Sequence, residues 1–306
     1  GQKKSKRVAV SASAGDRDAA FMEWLRAGGA SVDANITLST SSDGRRGVFA
    51  SAKLPADSVV VSVPASMILT PDESAAADAL REMGLGPEEF ESPRLEREAL
   101  VLSVVFELAM GSKSRWGAYM AALPGADDLH CPVLWSDDQL RFLAGTGVLT
   151  VMDKPEDDQE ELPNMTTVHW EHVAWPLLQR HPELGFGSKE AAYSAYRRAT
   201  ALVAGYSFGL GRERVQAMVP FWDMLNHVSP GEEGVRLRYD ATTQRLDMIT
   251  VRPIEKGEEV YNTYGPIGNA ELLRRYGFVL PGISNPHDTA LLEVRPDWLG
   301  SLALGG

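Results

Sequence analysis

The sequence predicts an α+β fold in which two β-rich segments flank a long helical region. β-branched and aromatic runs, punctuated by Pro, Gly and Asp turns, occupy residues 47–63 and return after residue 215. Between them, residues 71–204 carry apolar side chains at helical spacing. Two such segments, far apart in sequence, can be halves of one domain, although periodicity alone does not prove it.

The N-terminal part is predicted to contain one helix followed by strands. The letters "DRDAAFMEWLRAGG" indicate a short helix that Asp16 caps and residues 28–29 end. Residues 48–49 and 59–63 predict strands, with a turn at "LPAD" between them. The basic start of the chain predicts a flexible tail, with a transit-peptide remnant or a nuclear signal as alternatives.

The central region is predicted to be helical with one exposed loop. The stretch "RLEREALVLSVVFELAMG" is apolar nearly all round, which indicates a buried helix that ends at Gly111. Ser136 and Gln139 form a capping-box pattern at the start of "SDDQLRFL". Acids crowd the letters "MDKPEDDQEELPN", which predict a loop. Core positions of a further helix are predicted at Tyr193, Tyr196, Thr200 and Val203.

The C-terminal part returns to strand chemistry. Strands are predicted at "QAMVPF", "VRLRYD", "LDMITV" and "EEVYNTYG". The letters "GNAELLRRYGF" predict a helix that begins near residues 268–269 and ends before Gly277.

Composition narrows the classes of partner. The net charge of −12, from 42 acidic and 30 basic residues, argues against a general nucleic-acid binder. It suits a basic partner such as a Lys-rich tail, and it is equally consistent with a role in keeping the protein dissolved.

The single cysteine, Cys131, allows no internal disulfide, so a reducing compartment is expected, and its thiol is expected to be buried or inert. No apolar run approaches the roughly 20 residues of a membrane span.

Two short motifs carry the candidate chemistry, "FWDMLNH" at 221–227 and "YNTYG" at 261–265. Taken alone, each is an ordinary strand end with a turn. The letters "HWEH" at 169–172 lack a zinc-site spacing and a third ligand, so no metal site is predicted.

The order of the motifs resembles the SET-domain protein-lysine methyltransferases of the Rubisco large-subunit methyltransferase type. The closest branch is that of the ribosomal-protein and NF-κB-subunit lysine methyltransferases, and the resemblance runs from about Phe21 to about Val294. The letters that carry it are "RRGVFA", "WGAYMAALP", "PVLWSDDQLRFLAGTGV", "GYSF", "MVPFWDMLNH", "PIEKGEEVYNTYG" and "YGFVLPG".

The resemblance implies a SET-domain β-fold with pseudoknot-like threading of a C-terminal segment, interrupted by a large helical insert. "DMLNH" is expected to form part of the crossing. The implied segments are a flexible tail (1–15), the N-terminal part of the SET domain (16–70), the insert (71–204), the C-terminal part (205–282) and the start of a truncated or absent substrate-binding region (283–306). With that region absent, weak methylation of protein substrates is expected.

The implied reaction is methyl transfer from S-adenosylmethionine to a lysine amine of a protein. The amine must first lose its proton, which costs roughly 4.6 kcal/mol at pH 7. The resemblance assigns the catalytic role to Tyr264. It places the cofactor against Arg46, Gly47, Val48, Asn226, His227, Tyr264, Tyr276 and Phe278. It lines the substrate-lysine channel with Tyr206, Asp223 and Tyr264.

Two departures from the family pattern stand out. The family has Gly-x-Gly where this chain has Arg45 and Gly47, and an Arg that needs φ > 0 would cost on the order of 1 kcal/mol. Rubisco-type enzymes carry an Arg near "GYSF", where this chain has Tyr206. That difference favours a ribosomal-protein substrate over Rubisco.

The expected partner is a basic, lysine-bearing, non-histone protein that a monomer binds, with no nucleic acid and no membrane. The expected compartment is the cytoplasm or nucleus, with the chloroplast stroma as an alternative. Three other functions stay open: a SET-fold adaptor with weak catalysis, a Rubisco or plastid-protein lysine methyltransferase, and a protein-histidine methyltransferase.

Overall fold

The computed structural model describes residues 13–86, 93–148, 165–210, 215–281 and 285–290. Its α-helices are α1 (Ala14–Ala27), α2 (Ala77–Glu82), α3 (Pro93–Met110), α4 (Gly117–Ala122), α5 (Asp137–Leu140), α6 (Met165–His169), α7 (Trp175–Gln179), α8 (Lys189–Tyr206) and α9 (Asn269–Tyr276). Its strands are β1 (Ser31–Val32), β2 (Ile36–Thr40), β3 (Arg46–Ala50), β4 (Val59–Pro64), β5 (Ser207–Leu210), β6 (Val215–Met218), β7 (Val235–Asp240) and β8 (Arg245–Thr250).

The main sheet joins the two ends of the sequence. Its strand order is β1-β4-β8-β7, and every neighbouring pair is antiparallel. Val61 of β4 lies opposite Met248 of β8, and both are buried. Because β4 and β8 are separated by the whole helical region, the two β-rich segments fold together, as the sequence suggested. Two hairpins, β2–β3 and β5–β6, complete the strands described.

Helix α1 begins one residue after Ser13, which caps it. The Ser13 hydroxyl accepts from the Asp16 amide at 3.2 Å, and the Asp16 carboxylate accepts from the Ser13 amide at 3.1 Å. The prediction that Asp16 is the cap is therefore wrong, because Asp16 is the reciprocal partner in a capping box. Residues 14–15 of the predicted tail are helical, and residues 1–12 lie outside the described residues.

The helical region is built on α3 packed against α8. Tyr196 is buried and donates a hydrogen bond to buried Glu98 at 2.9 Å, and His169 also contacts that carboxylate, at 3.0 Å. Cys131 is buried as predicted, and burial raises the pKa of its thiol to about 11. A π-helical turn (Trp170–Ala174) links α6 to α7. The predicted acidic loop, residues 152–164, lies outside the described residues.

The segment predicted as the strand "EEVYNTYG" forms isolated bridges instead of a ladder. Glu259 bridges to Phe49, and Asn262 forms a parallel bridge with His227. The Asn262 amide donates to the carbonyl of Asn226, and the Val228 amide donates to the carbonyl of Asn262, both at 2.9 Å. The strand prediction fails because each stretch of this segment pairs with a different part of the chain. The same bridges bring the two candidate motifs side by side.

Within the residues described, no helix is long and apolar enough to cross a membrane.

Candidate active site

A cavity of about 600 Å³ opens beside the crossing of the two motifs. Its walls come from α1, the start of β3, the ends of α4 and α8, and the chain around α9. Six of the predicted site residues line it together: Arg46, Tyr206, Asn226, Tyr264, Tyr276 and Phe278. Residues separated by more than 200 positions therefore meet in one place.

Tyr264 is held from several sides. Its ring stacks on His227 with centroids 4.9 Å apart and on Tyr276 with centroids 4.4 Å apart. Its hydroxyl donates to the carbonyl of Leu225 at 2.8 Å. Burial, followed by the neighbouring Tyr206 and Tyr276, raises the pKa of Tyr264 well above its ordinary value. The phenol therefore keeps its proton, and its oxygen lone pairs can accept a hydrogen bond from a ligand.

His227 positions Tyr264 from outside the cavity lining. Its Nδ1 accepts the backbone N–H of Tyr264 at 3.0 Å. Because a backbone amide can only donate, Nδ1 carries no proton and the neutral ring is protonated at Nε2. Burial lowers the pKa of His227, which favours the same neutral form.

Asn226 ties β3 to the segment after β8. Its side-chain amide donates to the Arg46 carbonyl at 2.9 Å and to Glu259 Oε1 at 2.6 Å. A Cβ on Gly47 would lie 2.5 Å from that Glu259 oxygen and 3.1 Å from Asn226 Nδ2. Gly47 is therefore required by close approach and not by a positive φ. Val48 is fully buried, and its carbonyl accepts from the amide of Val260 at 2.8 Å. Neither Gly47 nor Val48 is among the residues that line the cavity.

The Arg46 side chain crosses one wall of the cavity. It pairs with Asp18 of α1 at 2.5 Å and donates to the Ala122 carbonyl at the end of α4 at 2.8 Å. The expected strain at Arg45 is absent, because Gly44 adopts the positive φ, +87°, and Arg45 does not.

Asp223 lies behind the cavity and does not line it. It is buried, its Oδ2 accepts from the hydroxyl of Tyr119, and its Oδ1 has no hydrogen-bond partner in the described part of the chain. Burial raises the pKa of Asp223 to about 7. Tyr206 does line the cavity, and burial together with the charge of Asp223 raises its pKa to about 12. Of the two residues predicted for the lysine channel beside Tyr264, only Tyr206 reaches the cavity surface.

The SET domain family model matches residues 45–265, which contain both motifs and the β3 strand. The chain belongs to the SET-domain family. The predicted α+β SET-domain fold is thereby confirmed. In this SET domain a parallel bridge between His227 and Asn262 joins "FWDMLNH" to "YNTYG", and the threading that the resemblance implies stays a prediction.

Curated relatives of this SET domain are lysine methyltransferases. The chain is 30% identical over 290 residues to N-lysine methyltransferase SETD6 of Mus musculus, covering 92% of this chain and 58% of that protein. It is 31% identical over 327 residues to N-lysine methyltransferase SETD6 of Homo sapiens, covering 96% of this chain and 66% of that protein. The chain thus spans about three fifths of the length of these relatives.

Solved structures support the fold. The SET domain of LSMT bound to lysine and AdoHcy superposes with a TM-score of 0.63 and 19% identity, over 89% of this chain and 59% of that chain. Rubisco LSMT bound to AdoMet gives a TM-score of 0.61 and 20% identity, over 88% of this chain and 57% of that chain. At this identity the likeness establishes the fold.

Sequence reasoning missed three residues that shape the site. Glu259 anchors Asn226, Tyr119 bonds Asp223, and Asp18 pairs with Arg46. Tyr119 stands in "WGAYMAALP" and Glu259 in "PIEKGEEVYNTYG", two of the stretches that carry the family resemblance. Glu259 is only 8% exposed, but Glu255, Lys256 and Glu258 precede it, so no apolar pattern in the sequence marks it as buried.

Proposed function

We infer that this SET domain is an S-adenosylmethionine-dependent protein-lysine N-methyltransferase. The observation that carries the inference is the Tyr264 hydroxyl, held at the cavity by Leu225 with oxygen lone pairs free to accept an amine N–H. The curated relatives named as N-lysine methyltransferases, and the neighbouring structures titled with AdoHcy and AdoMet, support the same reaction.

The residues around the cavity fit an adenosyl amino-acid cofactor. The cavity volume of about 600 Å³ lies within the range of small-molecule sites. Tyr276 and Phe278 offer aromatic faces for an adenine ring, and Asn226 offers a polar group for the ribose or the amino-acid end. Glycine is required at position 47 because a side chain there would collide with Asn226 and Glu259. Arg46, Val48, His227 and Tyr264 complete the proposed cofactor shell.

When bound, S-adenosylmethionine supplies a sulfonium methyl group that a neutral amine displaces in line. The chain has to supply a neutral and oriented amine. The aromatic surfaces of Tyr206, Tyr264 and Tyr276 disfavour the ammonium form and so lower the cost of deprotonation. The Tyr264 oxygen would accept one N–H and aim the amine lone pair, and such alignment accounts for a large part of the acceleration. Asp223 would act on the lysine channel only from behind, through its charge on Tyr206.

The proposed substrate is a basic, non-histone protein, with ribosomal proteins as the first candidates, and the proposed state is a monomer in the cytoplasm or nucleus. The net charge of −12 supports a Lys-rich partner, because opposite charge speeds encounter. The Tyr206 position, where Rubisco-type enzymes carry Arg, favours a substrate other than Rubisco.

Calorimetric titration with S-adenosylmethionine tests the cofactor site. Micromolar affinity is expected, about −8 kcal/mol. Asn226→Ala should weaken cofactor binding at least tenfold, since it removes the hydrogen bonds to the Arg46 carbonyl and to the Glu259 carboxylate. Lys53→Ala is the control, because the Lys53 side chain is 63% exposed and pairs with exposed Glu255. No heat and no thermal shift at millimolar cofactor would contradict the proposal.

Labelled S-adenosylmethionine added to a cell lysate, followed by mass-spectrometric site mapping, tests the reaction. Label on lysine is expected. Label on histidine would indicate a histidine methyltransferase, and cofactor binding without any label would indicate the adaptor.

A further inference from the structure

A second cavity, of about 260 Å³, has three arginines in its lining: Arg97 of α3 and the pair Arg274 and Arg275 of α9. Ser207 and Gln216 of the β5–β6 hairpin add polar groups. The Ser207 hydroxyl donates to the Val203 carbonyl at 2.6 Å and lies 3.2 Å from the Gln216 side-chain oxygen, which leaves the Gln216 NH₂ group as a donor. Guanidinium and amide donors therefore dominate this cavity.

The three arginines differ in how far they are already engaged. Arg274 forms a bidentate pair with Glu271, at 2.8 and 2.5 Å. Arg275 donates to the Ala204 carbonyl at 3.1 Å. No hydrogen bond or ion pair joins Arg97 to the part of the chain that the structure describes, and its guanidinium brings five N–H donors to the lining.

Positive charge is concentrated at this cavity although the whole chain is acidic. Desolvation, followed by Arg275 and Arg274, lowers the pKa of Arg97, and Arg94 acts in the same direction. The nearby carboxylates are Glu271 and Glu96, and Glu96 accepts the Gln216 backbone N–H at 2.6 Å. Among the described residues, these four arginines and two glutamates leave a local charge of about +2, in a protein of net charge −12.

We propose that the cavity formed by Arg97, Arg274, Arg275, Ser207 and Gln216 binds a phosphate monoester. A phosphate monoester carries about −1.5 to −2 charges at pH 7, which matches the local excess better than one carboxylate does. Arginine forks bind phosphate oxygens in bidentate fashion, and the Gln216 side-chain NH₂ is a donor suited to its third oxygen. The volume of about 260 Å³ admits a phosphoryl group and little more.

Neighbouring residues of the same two chain segments line the two cavities. Arg275 lines the phosphate cavity while its neighbour Tyr276 lines the proposed active site, and the Arg275 guanidinium lies 5.2 Å from the Tyr276 ring centre. Likewise Ala204 lines one cavity and Tyr206 the other. A phosphorylated side chain on the methylated protein can therefore reach this cavity. Phosphate binding at this cavity does not depend on the proposed function. Only the assignment of the phosphate to the substrate protein, as opposed to free phosphate, rests on that function.

Titration with inorganic phosphate at constant ionic strength tests the site without using methyl transfer. The intact chain is expected to bind with a millimolar Kd, and Arg97→Gln to weaken binding about tenfold or more, since charged hydrogen bonds are lost. Arg141→Gln is the matched control, because Arg141 is 81% exposed and pairs with Asp138 on its own turn. It should change the Kd less than about twofold. Equal melting temperatures would show that both variants are folded.

Two results would overturn the proposal: no phosphate binding by the intact chain at about 20 mM, or equal weakening by Arg97→Gln and Arg141→Gln. The source is identified by labelling a lysate before and after phosphatase treatment. If phosphatase lowers labelling by the intact chain but not by Arg97→Gln, the phosphate is carried by the substrate protein. If labelling is unchanged while phosphate binds, the ligand is free phosphate. Absence of all labelling would count against the proposed reaction alone.

Discussion

At Tyr264 the contacts that position the ring and the backbone do not involve the hydroxyl, so a mutation can remove the hydroxyl alone. The ring of Tyr264 stacks on His227 and Tyr276, and its backbone N–H donates a hydrogen bond to His227. Its hydroxyl donates a hydrogen bond to the Leu225 carbonyl. Tyr264→Phe should therefore leave cofactor affinity within about twofold while lowering kcat by about a hundredfold or more, because amine alignment is lost. Calorimetry and a single-turnover methylation assay measure the two quantities.

Tyr239→Phe is the control for that experiment, because Tyr239 is 48% exposed on β7 and lies outside the cavity lining. It should leave both quantities unchanged. A wild-type rate for the Tyr264 variant would show that the hydroxyl does not orient the amine.

Asp223 makes the stability of the protein depend on pH in an unusual direction. Burial raises its pKa from 3.8 to about 7, so between about pH 4 and pH 7 the folded state binds a proton that the unfolded state does not. This group's contribution to stability is therefore full at low pH and is lost as pH rises, by about 1.4 kcal/mol per pH unit.

Asp223→Asn should remove that slope, since the amide does not titrate across the window. Urea unfolding of the two proteins at several pH values between 4 and 7 measures the difference in stability. Parallel pH profiles for the two proteins would show that Asp223 titrates near its ordinary pKa, in contact with water.

At the residue scale the sequence predicted the convergence of Asn226, Tyr264 and Tyr276 only through the order of the motifs. The residues that hold the site residues in place could not be predicted from the sequence. Glu259 is 33 positions from Asn226, and Tyr119 is 104 positions from Asp223. Local patterns carry no information on pairs so far apart. Where the partner was local, as at Ser13 and Asp16, the pattern was present and was assigned to the wrong residue of the pair.

At the element scale, the end of α9 positions the aromatic wall of the candidate active site. Gly277 adopts φ +78°, and a Cβ there would lie 2.6 Å from the His130 carbonyl carbon and 2.7 Å from the Cys131 nitrogen. Gly277→Ala should therefore destabilise the protein and displace Tyr276 and Phe278, which stand on either side of it. The expected cost is about 1 kcal/mol for the left-handed backbone plus a further 1–3 kcal/mol for the overlap.

Gly185→Ala separates these two costs. Gly185 adopts a similar φ, +74°, but a Cβ there would have nothing within 4 Å. It should show the backbone cost alone and leave cofactor affinity unchanged. Equal unfolding free energies for the two variants would mean that the contact with residues 130–131 is relaxed at no cost.

Helices and strands were predictable where periodicity and propensity agree with a regular partner. Helix α3, helix α9 and strands β4, β7 and β8 stand where the patterns placed them. The stretch 258–264 has the same β-type composition, yet it pairs first with β3 and then with the chain at 227. Composition indicates an extended backbone but does not say which neighbour, if any, continues the ladder.

At the scale of the whole molecule, the candidate active site is assembled by the pairing of β4 with β8 across the helical region. This pairing brings β3 and the two motifs together, and no local pattern indicates it. The motif order predicted it by resemblance, and the antiparallel register between β4 and β8 is its physical basis.

The charge of the whole molecule leads to a prediction about how the substrate protein is found. With a net charge of −12, the chain should attract a Lys-rich protein over distances that salt screens. Raising ionic strength from about 0.1 M to about 1 M shortens the Debye length from about 10 Å to about 3 Å. The kcat/KM for a basic protein substrate should then fall about tenfold or more, mainly through slower association.

Cofactor affinity is the internal control for this prediction. S-adenosylmethionine would bind against nearby groups such as Asn226 and Tyr276, and salt screens such short contacts much less than long-range attraction. Its Kd should therefore change less than about threefold over the same range, by calorimetry. If kcat/KM were constant or rose with salt while the cofactor Kd held steady, the partner would not be a basic protein. The acidic surface would then have no part in recognising the target lysine.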